Sequence, residues 1–298
     1  MSRPAGAVRT RDGAIARKRF GQHYLVDRSV VQAIVRAIDP RPGQRVVEIG
    51  PGTGALTAPL LEALAVAGPP GAPVALEVVE IDRDLAGRVS ARFGERVLLH
   101  RADALAFDFA SAPGDERPLR IVGNLPYNIS SPLLLHLAQW ASRVRDQHFM
   151  LQREVVQRIV AAPGPHMGRL TVALQNVYEV VELFDVPPTA FDPPPKVESA
   201  VIRMLPRVAP LCAHQALLGA LLGAAFGQRR KMLRNTLAPW LARHHPDADL
   251  ADMARRDASL SPLDDPTIRA EQVPVGAWCA LANALAAAQT SRSISSIL

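Results

Sequence analysis

The stretch Arg45–Gly54, Arg-Val-Val-Glu-Ile-Gly-Pro-Gly-Thr-Gly, constrains this chain more than any other. Val46–Ile49 reads as a short buried parallel strand. Gly50, Gly52 and Gly54 follow at alternate positions, and Leu56, Leu60, Leu61 and Leu64 then recur at helical spacing. Strand, glycine turn and helix in that order expose backbone N–H groups at the carboxyl end of a strand. Absent side chains let a ligand come against the main chain. The spacing is G-x-G-x-G and differs from the dinucleotide pattern G-x-G-x-x-G. A tight turn with no ligand has the same local pattern, so the other strand ends must decide.

Taken in order, those ends carry polar groups. Val74–Val79 reads as a second strand closing on Glu80-Ile81-Asp82. Asp82 can cap the helix that follows, which leaves Glu80 to accept hydrogen bonds from both hydroxyls of a ribose. Val97–His100 is a third strand, followed by Asp103-Ala104, where polar groups could read an adenine edge. Leu119–Gly123 is a fourth and runs into Asn124-Leu125-Pro126-Tyr127. Ser131 is expected to cap the next helix, with Pro132 opening it. His148–Gln152 is a fifth strand, and Arg169–Val177 resumes helix. Val180–Val186 and Ser199–Leu205 read as an antiparallel pair. The loop between them holds five prolines that stiffen the chain around Phe191. The fold class is α/β, a mostly parallel sheet with helices on both faces, followed by a smaller all-helical domain.

Charge points to a polyanionic partner. The 298 residues carry a formal net charge of +6, although Lys occurs only at Lys18, Lys196 and Lys231 and most of the basic residues are Arg. Distribution is more telling than the sum. Arg17–Leu25 joins three cations to two aromatics, a mixture suited to RNA contact or to a lid over a ligand. Gln228–Asn235 places Arg229, Arg230, Lys231 and Arg234 within eight residues, expected on one helix facing RNA phosphates. Cys212 and Cys279 lack metal-ligand or redox spacing and fit a reducing cytosol. No apolar run is long enough for a membrane span, and no signal-peptide core is evident. The expected organisation is a flexible tail over 1–16, a catalytic domain over 17–206, a helical RNA-binding domain over 211–288 and a flexible tail over 289–298.

Asn-Leu-Pro-Tyr at a strand end is the most specific signal. An exocyclic aromatic amine is a poor nucleophile because its lone pair is delocalised into the ring. Two acceptors aimed at its N–H groups favour a pyramidal nitrogen and direct that lone pair. The Asn124 side-chain oxygen and a backbone carbonyl of Leu125 or Pro126 can serve, with Pro126 fixing the main chain and Tyr127 stacking on the base. With these residues in hand, the chain resembles the KsgA family of ribosomal RNA adenine dimethyltransferases from Arg17 to about Leu237. The matching stretches are Arg17–Leu25, Val47–Gly54, Glu80–Asp82, Asp103-Ala104, Val122–Ser130, Phe149–Glu154, Pro187–Ser199 and Phe226–Leu237.

The resemblance implies a Rossmann-like class I methyltransferase sheet and S-adenosyl-L-methionine as methyl donor. It implies dimethylation of the exocyclic N6 of two adjacent adenosines near the 3′ end of small-subunit (16S) rRNA. Carried over by position, His23 and Leu25 flank the cofactor, and Gly50 and Gly52 line its methionine end. Glu80 holds the ribose, Asp103 and Ala104 the adenine, and Asn124 touches both cofactor and target amine. Tyr127 and Phe191 sandwich the target base. Many family members have Asn where this chain has His23, so that contact is expected through the backbone or in altered form. The implied setting is cytoplasmic, a monomer acting on rRNA within a pre-30S particle. Rival readings are a large-subunit rRNA methyltransferase of the erythromycin-resistance type, a ribosome-assembly factor with little turnover, and a nicotinamide oxidoreductase. The glycine spacing and the Asn124–Tyr127 stretch disfavour the last.

Overall fold

A computed structural model describes residues 7–10, 13, 15–17, 22–65, 76–109, 117–265 and 267–295, with only the backbone described for 7–9, 15–17 and 290–295. The strands are β1 (Ala7–Arg9), β2 (Ile15–Arg17), β3 (Tyr24–Leu25), β4 (Arg45–Ile49), β5 (Leu76–Val79), β6 (Leu98–His100), β7 (Leu119–Asn124), β8 (Val144–Gln152), β9 (Tyr178–Val186), β10 (Phe191–Asp192) and β11 (Ser199–Pro206). The helices are α1 (Arg28–Ile38), α2 (Thr57–Leu64), α3 (Arg83–Phe93), α4 (Ser130–Leu137), α5 (Arg153–Ile159), α6 (Arg169–Val177), α7 (Gln215–Phe226), α8 (Leu233–His244), α9 (Leu250–Arg256) and α10 (Val275–Ser295). The described chain divides into two units, one of residues 1–156 and 180–206, the other of 157–179 and 207–298.

The first unit is built on a seven-stranded sheet in the order β6-β5-β4-β7-β8-β11-β9. β4 pairs in parallel with both β5 and β7, β5 with β6, and β7 with β8, while β11 runs antiparallel to β8. The chain therefore leaves β4 toward one edge and later returns to its other side. In such a sheet the crevice beyond the carboxyl ends of the diverging strands takes the ligand. β4 and β5 are buried along their whole length, the charged Arg45, Glu48 and Glu77 among their apolar residues included.

Two buried ion pairs tie neighbouring strands. Arg45 Nε donates to Glu77 Oε1 at 2.7 Å, and the His100 ring lies 2.8 Å from Glu77 Oε2, linking β4, β5 and β6. Burial opposes ionisation of Glu77, but the His100 and Arg45 contacts outweigh it and hold the carboxyl below its usual range. Arg120 grips both carboxylate oxygens of Asp146 and also donates to Gln44 and to the Ile38 and Asp39 carbonyls. That residue thus anchors the end of α1 to β7 and β8. Asp27 caps α1, its carboxylate accepting from Ser29 and Val30 N–H.

The second unit is helical. Its core gathers Leu221, Leu222, Leu237, Trp278 and Leu281 from α7, α8 and α10, with Met167 and Val172 from the earlier segment. Asn176 at the end of α6 is buried among them. Its carboxamide donates to the Cys212 carbonyl at 3.1 Å and accepts from Cys212 N–H at 2.7 Å, and the Cys279 thiol lies 3.5 Å from the same oxygen. Burial, then the neighbouring Cys212, pushes the Cys279 thiol up to about 12. These are buried packing thiols. Among the described residues no cluster could hold a metal ion, and no helix is long and apolar enough to cross a membrane.

Several expectations require correction. The segment 157–179, read with the sheet, packs in the helical unit because Met167 and Val172 find their apolar partners there. Residues 1–16, expected as a flexible tail, contain β1 and most of β2, which pair antiparallel. The tail expected over 289–298 continues α10 as far as Ser295. Ser131 is not a cap: α4 already begins at Ser130, whose hydroxyl donates to the Tyr127 carbonyl, so Pro132 sits within the first turn. Arg229, Arg230, Lys231 and Arg234 do not share one helix, since α8 begins only at Leu233 after Met232 bridges to Arg269. Residues 18–21 of the Arg17–Leu25 basic stretch and the Gly/Pro loop over 67–73 lie outside the described residues.

Candidate active site

The glycine turn does three separate things. All three glycines have positive φ, a conformation that side chains resist: Gly50 at 68°, Gly52 at 57° and Gly54 at 85°. A Cβ on Gly54 would lie 2.7 Å from the Phe93 ring, so that glycine lets α3 pack on the turn. A Cβ on Gly52 would meet the Tyr24 ring at 3.1 Å. Gly50 alone has open room, its nearest neighbour being the Asn124 carbonyl at 3.8 Å. The missing side chain there leaves space between the ends of β4 and β7.

A cavity of about 330 Å³ occupies that space. Its lining includes His23, Leu25, Gly50 and Gly52 on one side and Glu80, Asp103 and Ala104 on another. Asn124, Leu125, Pro126 and Tyr127 complete it. Eleven of the twelve residues assigned from the sequence to catalysis and cofactor binding thus meet in one place. Phe191 is the twelfth and does not. It is 3% exposed, sits opposite Leu25 in the β3–β10 pair and packs with Ile34 and Val186 in the core. Phe191, expected as one wall of a base clamp, lies in the core in this arrangement and is not among the residues lining the cavity.

One end of the cavity holds buried carboxylates. Glu80, at the end of β5, accepts from Asp82 N–H through Oε1 at 2.8 Å, while Asp82 caps α3 through Asp84 N–H. Burial above all raises the Glu80 carboxyl to about 7. Glu48 was not singled out by its sequence, yet it lines the same cavity from within β4 and is 2% exposed. Thr57 Oγ1 donates to it at 2.6 Å. Burial, opposed by that hydrogen bond and reinforced by the Glu80 charge, lifts it to about 7. The available signal was an acid among Val46, Val47 and Ile49. Ile81, 52% exposed, adds an apolar lip beside Glu80. Asp103 Oδ1 is tied to Leu105 N–H at 2.9 Å.

The opposite end is neutral. Asn124 Nδ2 donates to the His23 carbonyl at 3.1 Å, which orients the carboxamide and leaves its oxygen as an acceptor. Leu125 N–H bonds to Met150 O, and Pro126 O accepts from Ile129 N–H at 3.2 Å. The Pro126 carbonyl is therefore occupied in the turn, which favours Leu125 as the second acceptor. Tyr127 OH lies 2.7 Å from Ser199 Oγ, and burial, opposed by that contact, raises the phenol above its usual range. That pairing fixes the ring plane, and burial keeps the hydroxyl protonated.

The four cations belong to the helical unit and differ from one another. Arg229 is bound to Glu271 Oε2 at 2.6 Å and donates to the Pro165 and Met167 carbonyls. Its guanidinium staples the loop before α6 to the turn before α10. Arg230, Lys231 and Arg234 are exposed and make no ion pair among the described residues.

Comparison with known proteins follows the same outline. Residues 13–254 match the family described as "Ribosomal RNA adenine dimethylase". The chain is 52% identical over 289 residues to the ribosomal RNA small subunit methyltransferase A of Burkholderia mallei (strain SAVP1), covering 95% of this chain and 98% of that one. It is 53% identical to the protein of the same name from Burkholderia cenocepacia (strain HI2424), covering 94% and 97%. Among solved structures, a dimethyladenosine transferase from Plasmodium falciparum superposes with a TM-score of 0.69 at 24% identity, covering 87% and 96% of the two chains. The 23S rRNA methyltransferase ErmE gives 0.64 at 23% identity, covering 88% and 99%. The two structures establish likeness of fold, and the family rests on the sequence matches: this chain belongs to the ribosomal RNA adenine dimethylase family.

Proposed function

We infer that this chain dimethylates the N6 amines of two adjacent adenosines in small-subunit rRNA, with S-adenosylmethionine as methyl donor. One observation carries the reading: Asn124–Tyr127 and the Gly50–Glu80–Asp103 set open onto one cavity. The 52% identity to a small-subunit rRNA methyltransferase over nearly the whole chain favours this substrate over large-subunit rRNA.

The residues suit the cofactor. A sulfonium nucleoside needs room against main chain, an acceptor for ribose hydroxyls and a slot for a purine. The open side of Gly50 offers the first, buried Glu80 the second, and Ile81 with Asp103 and Ala104 the third. S-adenosylmethionine, when bound, supplies the electrophilic methyl group. The protein does the rest by position. Asn124 Oδ1 and the Leu125 carbonyl accept the two N–H bonds of the flipped adenine, and Tyr127 stacks on its ring. The nitrogen lone pair is thereby aimed along the methyl transfer direction. Proton loss follows to water once the nitrogen has been alkylated, so no strong base is needed. These acceptors matter most where the amine pyramidalises, and so act on the transition state more than on binding. Arg230, Lys231 and Arg234, with Arg229 in a supporting place, are assigned to rRNA phosphates. A monomer acting in the cytoplasm on a pre-30S particle is the setting this reading implies.

The test is methyl transfer from labelled cofactor into unmethylated small subunits, large subunits and free rRNA. Dimethyladenosine formed in the small subunit is expected. Transfer only to large subunits would replace the substrate assignment.

A further inference from the structure

We propose that the His23 side chain is a latch over the target slot, lying on the face of Tyr127 that takes the flipped base. The inference deepens the proposed function and rests on its assignment of Tyr127 as the stacking residue. The His23 and Tyr127 rings are stacked, with centroids 5.7 Å apart and planes inclined by 26°. Both line the cavity. A planar base between two rings needs about twice a contact distance of ~3.5 Å. The observed spacing is too small, so one ring must move before adenine can enter.

The hydrogen bonds say which. Tyr127 is fixed at its hydroxyl by Ser199 at 2.7 Å and at its carbonyl by Ser130. Among the described residues the His23 ring is held by one hydrogen bond, 2.7 Å from Nδ1 to the Pro193 carbonyl. A carbonyl only accepts, so Nδ1 is the donor. The main chain of the same residue has a different task, since its carbonyl receives Asn124 Nδ2 at 3.1 Å. His23 therefore combines a backbone that orients the acceptor for the amine with a side chain that covers the stacking face. Swinging the ring about its own side-chain bonds opens the slot and leaves Asn124 in place. The tether runs to the proline-rich loop that follows Phe191, so loop and slot are coupled through one hydrogen bond. His23 is a positioning residue that acts through Tyr127. It makes the slot available only to an adenine whose surrounding RNA contacts outweigh the loss of one stack and one hydrogen bond.

The experiment uses the full chain, undermethylated small subunits and cofactor held well above its Kd, measured by calorimetry for each variant. The variants are His23→Ala, His23→Asn, Tyr127→Leu and the double variant Tyr127→Leu with His23→Ala. All the His23 changes keep the backbone carbonyl, and His23→Asn keeps a polar side chain should the alanine variant fold poorly. With the latch removed, KM for small subunits should fall roughly two- to ten-fold, because a lost aromatic stack lowers the cost of opening. That gain should vanish in the Tyr127→Leu background, where there is no face to cover. A KM that is unchanged or raised in both His23 variants at saturating cofactor overturns the latch. A raised KM with lowered kcat would instead make His23 a wall of the base clamp. If Tyr127→Leu alone behaves as wild type, Tyr127 is not the stacking residue, and the latch falls together with that assignment.

Discussion

The two ends of the cavity differ in how they handle charge. At the end proposed for the cofactor, Glu48 and Glu80 are buried and both are lifted to about 7. At the end proposed for the target amine, Asn124 and the Leu125 carbonyl are neutral, and the Tyr127 phenol is pushed away from ionisation. A cationic cofactor is best received by carboxylates that surrender protons as it binds. A neutral amine is best activated by acceptors that never titrate. The contrast predicts that pH acts on cofactor binding, while the chemical step depends on geometry.

The largest effect should come from the neutral end. Asn124→Ala should lower kcat by about 10²- to 10³-fold, as loss of one preorganised hydrogen-bonding group does elsewhere, with a much smaller change in RNA affinity. Single-turnover kinetics separate the two. Equal losses in kcat and RNA affinity would remove the distinction between the ends. Tyr127→Phe should keep substantial activity, and Tyr127→Ala should lose much of it.

Next comes the charged end. Glu80→Ala should weaken S-adenosylmethionine binding roughly ten- to a hundred-fold by calorimetry, with little effect on kcat at saturating cofactor. An unchanged affinity in a folded variant would take Glu80 out of the site.

The pH effect is smaller and its sign is definite. Both carboxyls are raised from their usual 4.5 toward about 7, so between these values the folded protein holds protons that the unfolded chain releases. Stability from these groups is complete below pH 4.5 and is lost as pH rises through about 7. The melting temperature of the free protein should therefore decline across that window, and Glu48→Gln should flatten the decline. Cofactor affinity should rise over the same interval, because Glu80 must be ionised to accept both ribose hydroxyls. A rise in melting temperature between pH 5 and 7 that Glu48→Gln removes would reverse the assignment.

The smallest effects separate the cations. Replacing Arg230 with Ala should reduce the salt dependence of RNA binding by a slope of about 1, with no change in melting. Replacing Arg229 with Ala should mainly lower the melting temperature of the helical unit, because its guanidinium holds Glu271 and two loop carbonyls. Equal salt slopes for wild type and the variant lacking all four cations would return the cluster to a solvated face.

What could be read from the sequence was local. A glycine turn, an acid at a strand end and Asn-Leu-Pro-Tyr each carry their chemistry within a few residues, and the parallel sheet brings them together at β4, β5 and β7. The misreadings concern long-range packing. Phe191 is buried by pairing with Leu25, 166 positions earlier in the chain, which no local pattern announces. Segment 157–179 joins the helical unit through Met167 and Val172, residues that would suit either core. Glu48 was hidden because it lies inside β4, before the strand end at which such a sheet presents its ligand groups. Arg229 looked like its neighbours until Glu271 and the Pro165 carbonyl were found within reach.

The proposed function requires that one cavity join a methyl-donor end to an amine end and carry two successive transfers. Mass analysis of digested small-subunit rRNA, after long incubation with excess S-adenosylmethionine, tests it most directly. N6,N6-dimethyladenosine is expected at two adjacent positions, formed far more slowly by Asn124→Ala. Accumulation of monomethyladenosine alone would contradict it.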